Sequence, residues 1–124
     1  MSGLIGTTNS RSKIIGRSFD TAIAWVKFNG VGTLSVINSY NISSVGDEAQ
    51  GKYKVNFTGS APNANYSVAT DGVEDNGLYS SYGAGSTCHA YHSSATTTYF
   101  YMSTAENGGT WQDLRNINAI VFGK

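Results

Sequence analysis

The sequence predicts an all-β protein, folded as an antiparallel β-sandwich or a compact barrel. Three observations carry that expectation. Apolar and polar residues alternate with a period of two in several segments of strand length, most plainly from Gly51 to Phe57. Turn residues, among them Asn29-Gly30, Gly51 and the only proline, Pro62, punctuate the chain at spacings that suit hairpins better than parallel crossovers. Helix signatures are absent apart from one turn expected near Gln112 to Asn116. The 124 residues suffice for one domain, assigned to residues 19–124, able to bury roughly two thirds of the surface that the unfolded chain would expose.

Residues 1–18 read as an arm. They are rich in Ser, Gly and Thr, with apolar pairs Leu4, Ile5 and Ile14, Ile15 set among the cations Arg11, Lys13 and Arg17. A wholly free tail has little use for four branched apolar side chains, so docking against a neighbouring subunit or anchoring to a larger assembly is expected. From Asp20 a strand rhythm sets in. Ala22, Ala24, Val26 and Phe28 share one face, and Ile23 and Trp25 the other; a strand apolar on both faces is central in a sandwich or lies at a subunit contact.

Asn29-Gly30 is expected to supply the positive φ values of a tight hairpin. TLSVINSYNIS then reads as one second strand, with Leu34, Val36, Asn38, Tyr40 and Ile42 alternating against Thr33, Ser35, Ile37 and Ser39, and SVGDEAQG as the connection that follows it. In GKYKVNF, Tyr53, Val55 and Phe57 oppose Lys52, Lys54 and Asn56, a half-buried strand. GSAPNAN ends it, because Pro62 has no N–H for a ladder and restrains Ala61. Tyr66, Val68 and Thr70 resume the rhythm, and DGVEDNG reads as a long acidic turn. Small polar loops and short strands follow; the clearest strand is Thr97 to Ser103, with Tyr99 and Tyr101 opposite Thr98, Phe100 and Met102. The last strand sets Ile117, Ala119 and Val121 against Asn118, Ile120 and Phe122.

Composition narrows the function classes. Eight Lys plus Arg balance eight Asp plus Glu, and 13% of residues are charged, so no global field steers the chain to nucleic acid or an anionic membrane. A lone cysteine, Cys88, makes no intrachain disulfide and cannot build a thiolate metal site. The N-terminal stretch lacks the apolar core of a signal peptide, and no apolar run approaches the ~20 residues needed to span a bilayer. Synthesis in a host cytoplasm without membrane insertion is the expectation.

The order Trp25, Val26, Phe28, Gly30, then Tyr40, Asn41, Ile42, Ser43, Ser44, then Asp47, then Gly51, Tyr53, Val55, Phe57, and finally Pro62, Asn63, Ala64, Asn65, Tyr66 resembles a module of tail-fibre and related structural proteins of tailed bacteriophages. The resemblance implies a β-rich, homotrimeric appendage domain that attaches to a virion or recognises a host surface. Its residues look like fold signatures and assign no binding residue. Because Met1 stands shortly before the module, the expectation is either a truncated piece of a longer protein or a small separate virion protein: a capsid decoration, short head fibre or tail appendage mounted through Leu4, Ile5, Arg11, Lys13, Ile14, Ile15 and Arg17. Its expected partners are further copies of itself and a capsid or tail protein. The alternative is a tail-fibre adhesin that recognises host surface polysaccharide.

Residues that could carry chemistry have plainer readings. Cys88 and His89 would point to opposite faces of a strand, and no motif supplies further ligands to His89 and His92, so neither catalysis nor a metal is expected there. Asp71, Glu74, Asp75 and Asn76 are hard oxygen donors without the spacing of a calcium loop, and read as a solvent-facing turn. Neither a nucleophile elbow nor a phosphate-binding loop is present, and the three N-x-[ST] triplets, at Asn41, Asn56 and Asn65, read as products of composition. No enzyme activity, cofactor or metal is expected. Tyrosine has a broad apolar face with a hydroxyl at its rim, suited to protein contacts and to sugars. Tyr79, Tyr82, Tyr91 and His92, in small-residue loops, are therefore the candidate surface or glycan-binding residues, whereas Tyr99, Tyr101 and Trp111 are assigned to the core or a subunit interface.

Overall fold

The computed structural model describes residues 22–73, 87–91, 95–105 and 109–123. Among these, eight strands form two four-stranded antiparallel sheets. The strands are β1 (Ala22–Asn29), β2 (Ser35–Tyr40), β3 (Ile42–Ala49), β4 (Lys52–Phe57), β5 (Ser67–Val73), β6 (Thr87–Tyr91), β7 (Tyr99–Ala105) and β8 (Arg115–Phe122). Sheet A has the order β2-β1-β8-β5 and sheet B the order β3-β4-β7-β6. No ladder joins the two sheets among the described residues, so of the two expected all-β architectures the layered one is observed. The arm at residues 1–18 lies outside the described residues.

The alternation read from the sequence decides which side chains meet between the layers. Ala24, Val26 and Phe28 of β1 and Ile117, Ala119 and Val121 of β8 point inward from sheet A; Tyr53, Val55 and Phe57 of β4 and Phe100 and Met102 of β7 point inward from sheet B. All are buried. Phe28 meets Tyr53 edge to face, with ring centroids 5.0 Å apart, and Phe57, Tyr66 and Phe100 form a second aromatic cluster at 5.5 to 6.2 Å. Each such ring removes apolar area from water worth roughly 1.5–3 kcal/mol, and the edge-to-face geometry adds to that.

Four boundaries differ from the sequence reading. TLSVINSYNIS is two strands in two different sheets: Asn41 takes a left-handed backbone, φ 54°, and the chain crosses from β2 to β3 there. SVGDEAQG is largely β3 rather than a connection; β3 is an edge strand with two register shifts, and the Asp47 and Glu48 that look like turn residues suit an exposed edge. Asp71, Gly72 and Val73 of the acidic segment complete β5, and Glu74, Asp75 and Asn76 lie outside the described residues. The helical turn near Gln112 is absent: Trp111 bridges Ala105, residues 112–114 hold no regular element, and β8 begins at Arg115.

The first turn also differs. Gly32, not the Asn29-Gly30 pair, carries the positive φ, at 71°. Gly30 is needed for a close approach instead, since a Cβ there would collide with the Tyr53 hydroxyl, while its N–H donates to the Leu114 carbonyl at 2.9 Å. Asn29 shapes the loop through its side chain, accepting the Val31 N–H at 3.1 Å.

Candidate functional site

Two outer sheet faces and one buried polar cluster are the places where side chains other than core hydrocarbon gather. On the outer face of sheet A, cross-strand register lines residues up in rungs that run across the strands. One rung is Tyr40, Trp25, Ile120 and Ala69, from β2, β1, β8 and β5; the next is Asn38, Lys27, Asn118 and Asp71. On the other side of the first rung lie Ala22, Phe122 and Ser67; a register shift between Ala22 and Ala24 pairs Ala22 with the outward Phe122 and so takes it off the inward face on which the alternation placed it with Ala24, while Ile23 packs against the core. The alternation that buries Val26 and Val121 necessarily turns Trp25 and Ile120 outward. On the first rung Tyr40 is 57% and Ile120 41% exposed, with Trp25 half-buried between them, and Phe122, 38% exposed, lies on the neighbouring rung of β8.

The outer face of sheet B is polar and aromatic. Lys54 Nζ sits 4.2 Å from the centre of the Tyr99 ring and 5.9 Å from that of Tyr101, and these two rings stand edge to face at 5.5 Å. Asn56 donates to Ser44 Oγ at 3.1 Å beside them, and Glu48 lies near Gly46, which pairs with Lys54. Toward the other end of β4, Lys52 approaches the half-exposed Trp111 ring at 5.5 Å. Tyr99 and Tyr101 therefore lie on the outer face, half-buried, and not between the sheets, where the sequence reading offered them a place; β7 turns Phe100 and Met102 inward.

The buried cluster joins the 111–114 segment to sheet B. Asp113 Oδ1 accepts the Gly51 N–H at 2.7 Å and the Tyr53 hydroxyl at 2.9 Å, and Thr104 Oγ1 donates to the Gln112 carbonyl at 2.5 Å. Burial, followed by the neighbouring Asp113 carboxylate, pushes the Tyr53 hydroxyl well above the ordinary tyrosine range. Oδ1 of Asp113 thus accepts two structural donors, one of them the Tyr53 hydroxyl. Burial likewise raises the Tyr66 hydroxyl, which donates to the carbonyls of Thr96 and Tyr99.

Of the sequence candidates, Tyr91 falls in the described residues, and there it ends strand β6 opposite Tyr101 rather than occupying a loop. Tyr79, Tyr82 and His92 lie outside the described residues, as do Leu4, Ile5, Arg11, Lys13, Ile14, Ile15 and Arg17. Cys88 and His89 are successive positions of β6, in register with Thr104 and Ser103. Among the described residues no three His, Cys, Asp or Glu side chains form a metal-sized group, and no helix is long and apolar enough to cross a membrane. Sequence reasoning missed Lys54, Asn56, Tyr40 and Ile120 as surface-site residues. For Lys54, Asn56 and Ile120 the signal was present in the outward positions of strands whose inward positions were read correctly, whereas Tyr40 sits on the edge strand β2, which the pattern had fused with β3.

Fold and faces together define an antiparallel β-sandwich with one apolar and one polar-aromatic outer face. Comparison with known proteins returned no matching family model, no matching curated protein and no matching solved structure.

Proposed function

We propose that the chain is a non-enzymatic structural component of a phage particle, a β-sandwich appendage that acts by contact, with residues 1–18 as its anchoring arm and the capsid or tail as its seat. The observation that carries the reading is the apolar row across sheet A in which Tyr40 and Ile120 are exposed and Trp25 is half-buried between them. A folded domain gains nothing in stability from leaving such a row in water, and its use is burial against another surface. The resemblance of Ala24 to Tyr66 to tail-fibre modules supplies the particle; in the fold, that stretch supplies β1 to β4 and the loop closing on Tyr66. The test is protein mass spectrometry on density-banded phage particles from cells that encode the chain. Fixed stoichiometry with the capsid protein is expected, and absence from banded particles would overturn the reading. The homotrimer expected from the resemblance is one closed way to cover the row.

A second reading, recognition of surface polysaccharide, draws on the outer face of sheet B. Tyr99 and Tyr101 with Lys54, Asn56 and Ser44 offer aromatic carbon beside hydroxyl, amide and ammonium groups, the combination a sugar ring uses. Glycan-array binding that Tyr101→Ala and Lys54→Ala abolish, with the fold intact, is the expected result of that reading.

A further inference from the structure

The outer face of sheet A is complementary to itself. At three places a large or charged group on one side of the midline between β1 and β8 has a small or opposite one at the mirrored place on the other, while at the centre of the first rung Trp25 and Ile120, both large, face each other across the midline. Tyr40 on β2 has Ala69 on β5 as its counterpart; Phe122 on β8 has Ala22 on β1; and Lys27 on β1 shares its rung with Asp71 on β5. Within one chain Lys27 and Asp71 are kept apart by β8, and both are exposed.

We infer that this face docks a second copy of the chain, sheet on sheet, about a two-fold axis running along the strands between β1 and β8. That operation lays β1 over the partner's β8 and β2 over the partner's β5 at the same level. Tyr40 then falls on Ala69 of the partner subunit, Phe122 on Ala22 of the partner subunit, and Trp25 on Ile120 of the partner subunit. Lys27 is then offset sideways by one strand, about 4.8 Å, from Asp71 of the partner subunit across the roughly 10 Å between facing sheets, a gap the two side chains span together, and the symmetry makes that pair twice. A two-fold axis across the strands would instead set the Phe122 rung against the charged one. A three-fold ring joins two different patches and leaves the self-complementarity unused. The face is four strands wide, about 19 Å.

This inference deepens the contact reading of the face, and it fails separately from the virion reading. A chain that bands with particles yet stays monomeric overturns the pair alone, whereas a pair in solution that never bands with particles overturns the virion seat alone. The experiment is sedimentation equilibrium on the full chain, unmodified and carrying Lys27→Glu, Asp71→Lys, or both, with urea melts to verify folding. The unmodified chain is expected to dimerise. Each single reversal should weaken the dimer about tenfold or more by placing like charges together, and the double reversal should restore it. Trp25→Ser should also weaken it. Either a monomer at all accessible concentrations, a trimer, or a dimer indifferent to the single reversals would overturn the inference.

Discussion

Asn41 and Gly59 exchange two hydrogen bonds: Asn41 Nδ2 donates to the Gly59 carbonyl at 3.1 Å, and the Gly59 N–H donates to Asn41 Oδ1 at 2.7 Å. A side-chain amide thus does what a neighbouring strand would do, at the residue where the chain leaves sheet A for sheet B. The same Nδ2 donates to the Ile23 carbonyl at 3.0 Å, tying β1 to the crossing, and both of its protons are committed. Asn41 therefore has no amide proton to spare for a glycan in the folded chain.

Substitution at Asn41 should separate backbone strain from hydrogen bonding. Asn41→Gly keeps access to φ 54° and loses the amide bonds, at about 2 kcal/mol. Asn41→Ala adds left-handed strain and should cost about 1 kcal/mol more. Urea midpoints at constant slope measure both; equal losses would show that the backbone angle carries no part of the cost.

Stability should fall in alkali, and Tyr53 should be a principal cause. Its hydroxyl is raised in the folded chain relative to the unfolded one. The folded state then holds a proton that the unfolded state has released above pH ~10, so the contribution is fully present below that value and is lost as pH rises toward the folded pKa. The slope is about 1.4 kcal/mol per pH unit for one such group. Tyr66 shifts in the same direction and adds to it. Unfolding free energy measured from pH 8 to 12 should drop more shallowly in Tyr53→Phe than in the unmodified chain, after an initial loss of about 2 kcal/mol from the bond to Asp113.

Two glycines with similar backbones should respond differently to alanine. Gly32, φ 71°, has open space where a Cβ would go, so Gly32→Ala should cost about 1 kcal/mol, the left-handed term alone. Gly51, φ 65°, is buried, and a Cβ there would collide with the Thr104 carbonyl and come within 2.7 Å of the Gln112 nitrogen. Backbone atoms on both sides cannot swing away, and Gly51→Ala should cost about 3 kcal/mol or more. Thermal melts of the two variants make the comparison, and similar losses would contradict it.

Ser103 is buried, and its hydroxyl has no hydrogen-bond partner among the described residues. Ser103→Ala removes a desolvated polar group and should leave stability unchanged or raise it by about 1 kcal/mol. A clear loss in the urea melt would show that the hydroxyl is satisfied after all.

How legible the fold was depended on where a strand sits. The central strands β1, β4, β7 and β8 bury one face, so Val26, Val55, Phe100 and Val121 announced themselves by period two. The edge strands did not. β2 leaves Val36, Ile37 and Tyr40 exposed, and β3 carries Asp47 and Glu48 with two register shifts, so pattern alone fused the first to its successor and dissolved the second into a loop. The crossing at Asn41 rests on hydrogen bonds to residues 18 positions away on either side, Ile23 and Gly59, which no local window contains. The outer-face sites were half legible: the outward positions could be read, but the rungs joining Trp25 to Ile120 and Lys54 to Tyr101 depend on pairing between distant strands.

The register of β1 with β8 has a mechanical consequence. Ala22 opens β1, Phe122 ends β8, and the two are paired partners at the same end of the ladder. A pull applied to the chain on both sides of the sandwich would therefore load one pair of hydrogen bonds at a time, as in opening a zip, rather than shearing the whole ladder at once. Tension should unfold this domain at low force if it is strung in line, and spare it if it hangs from one end as a side branch.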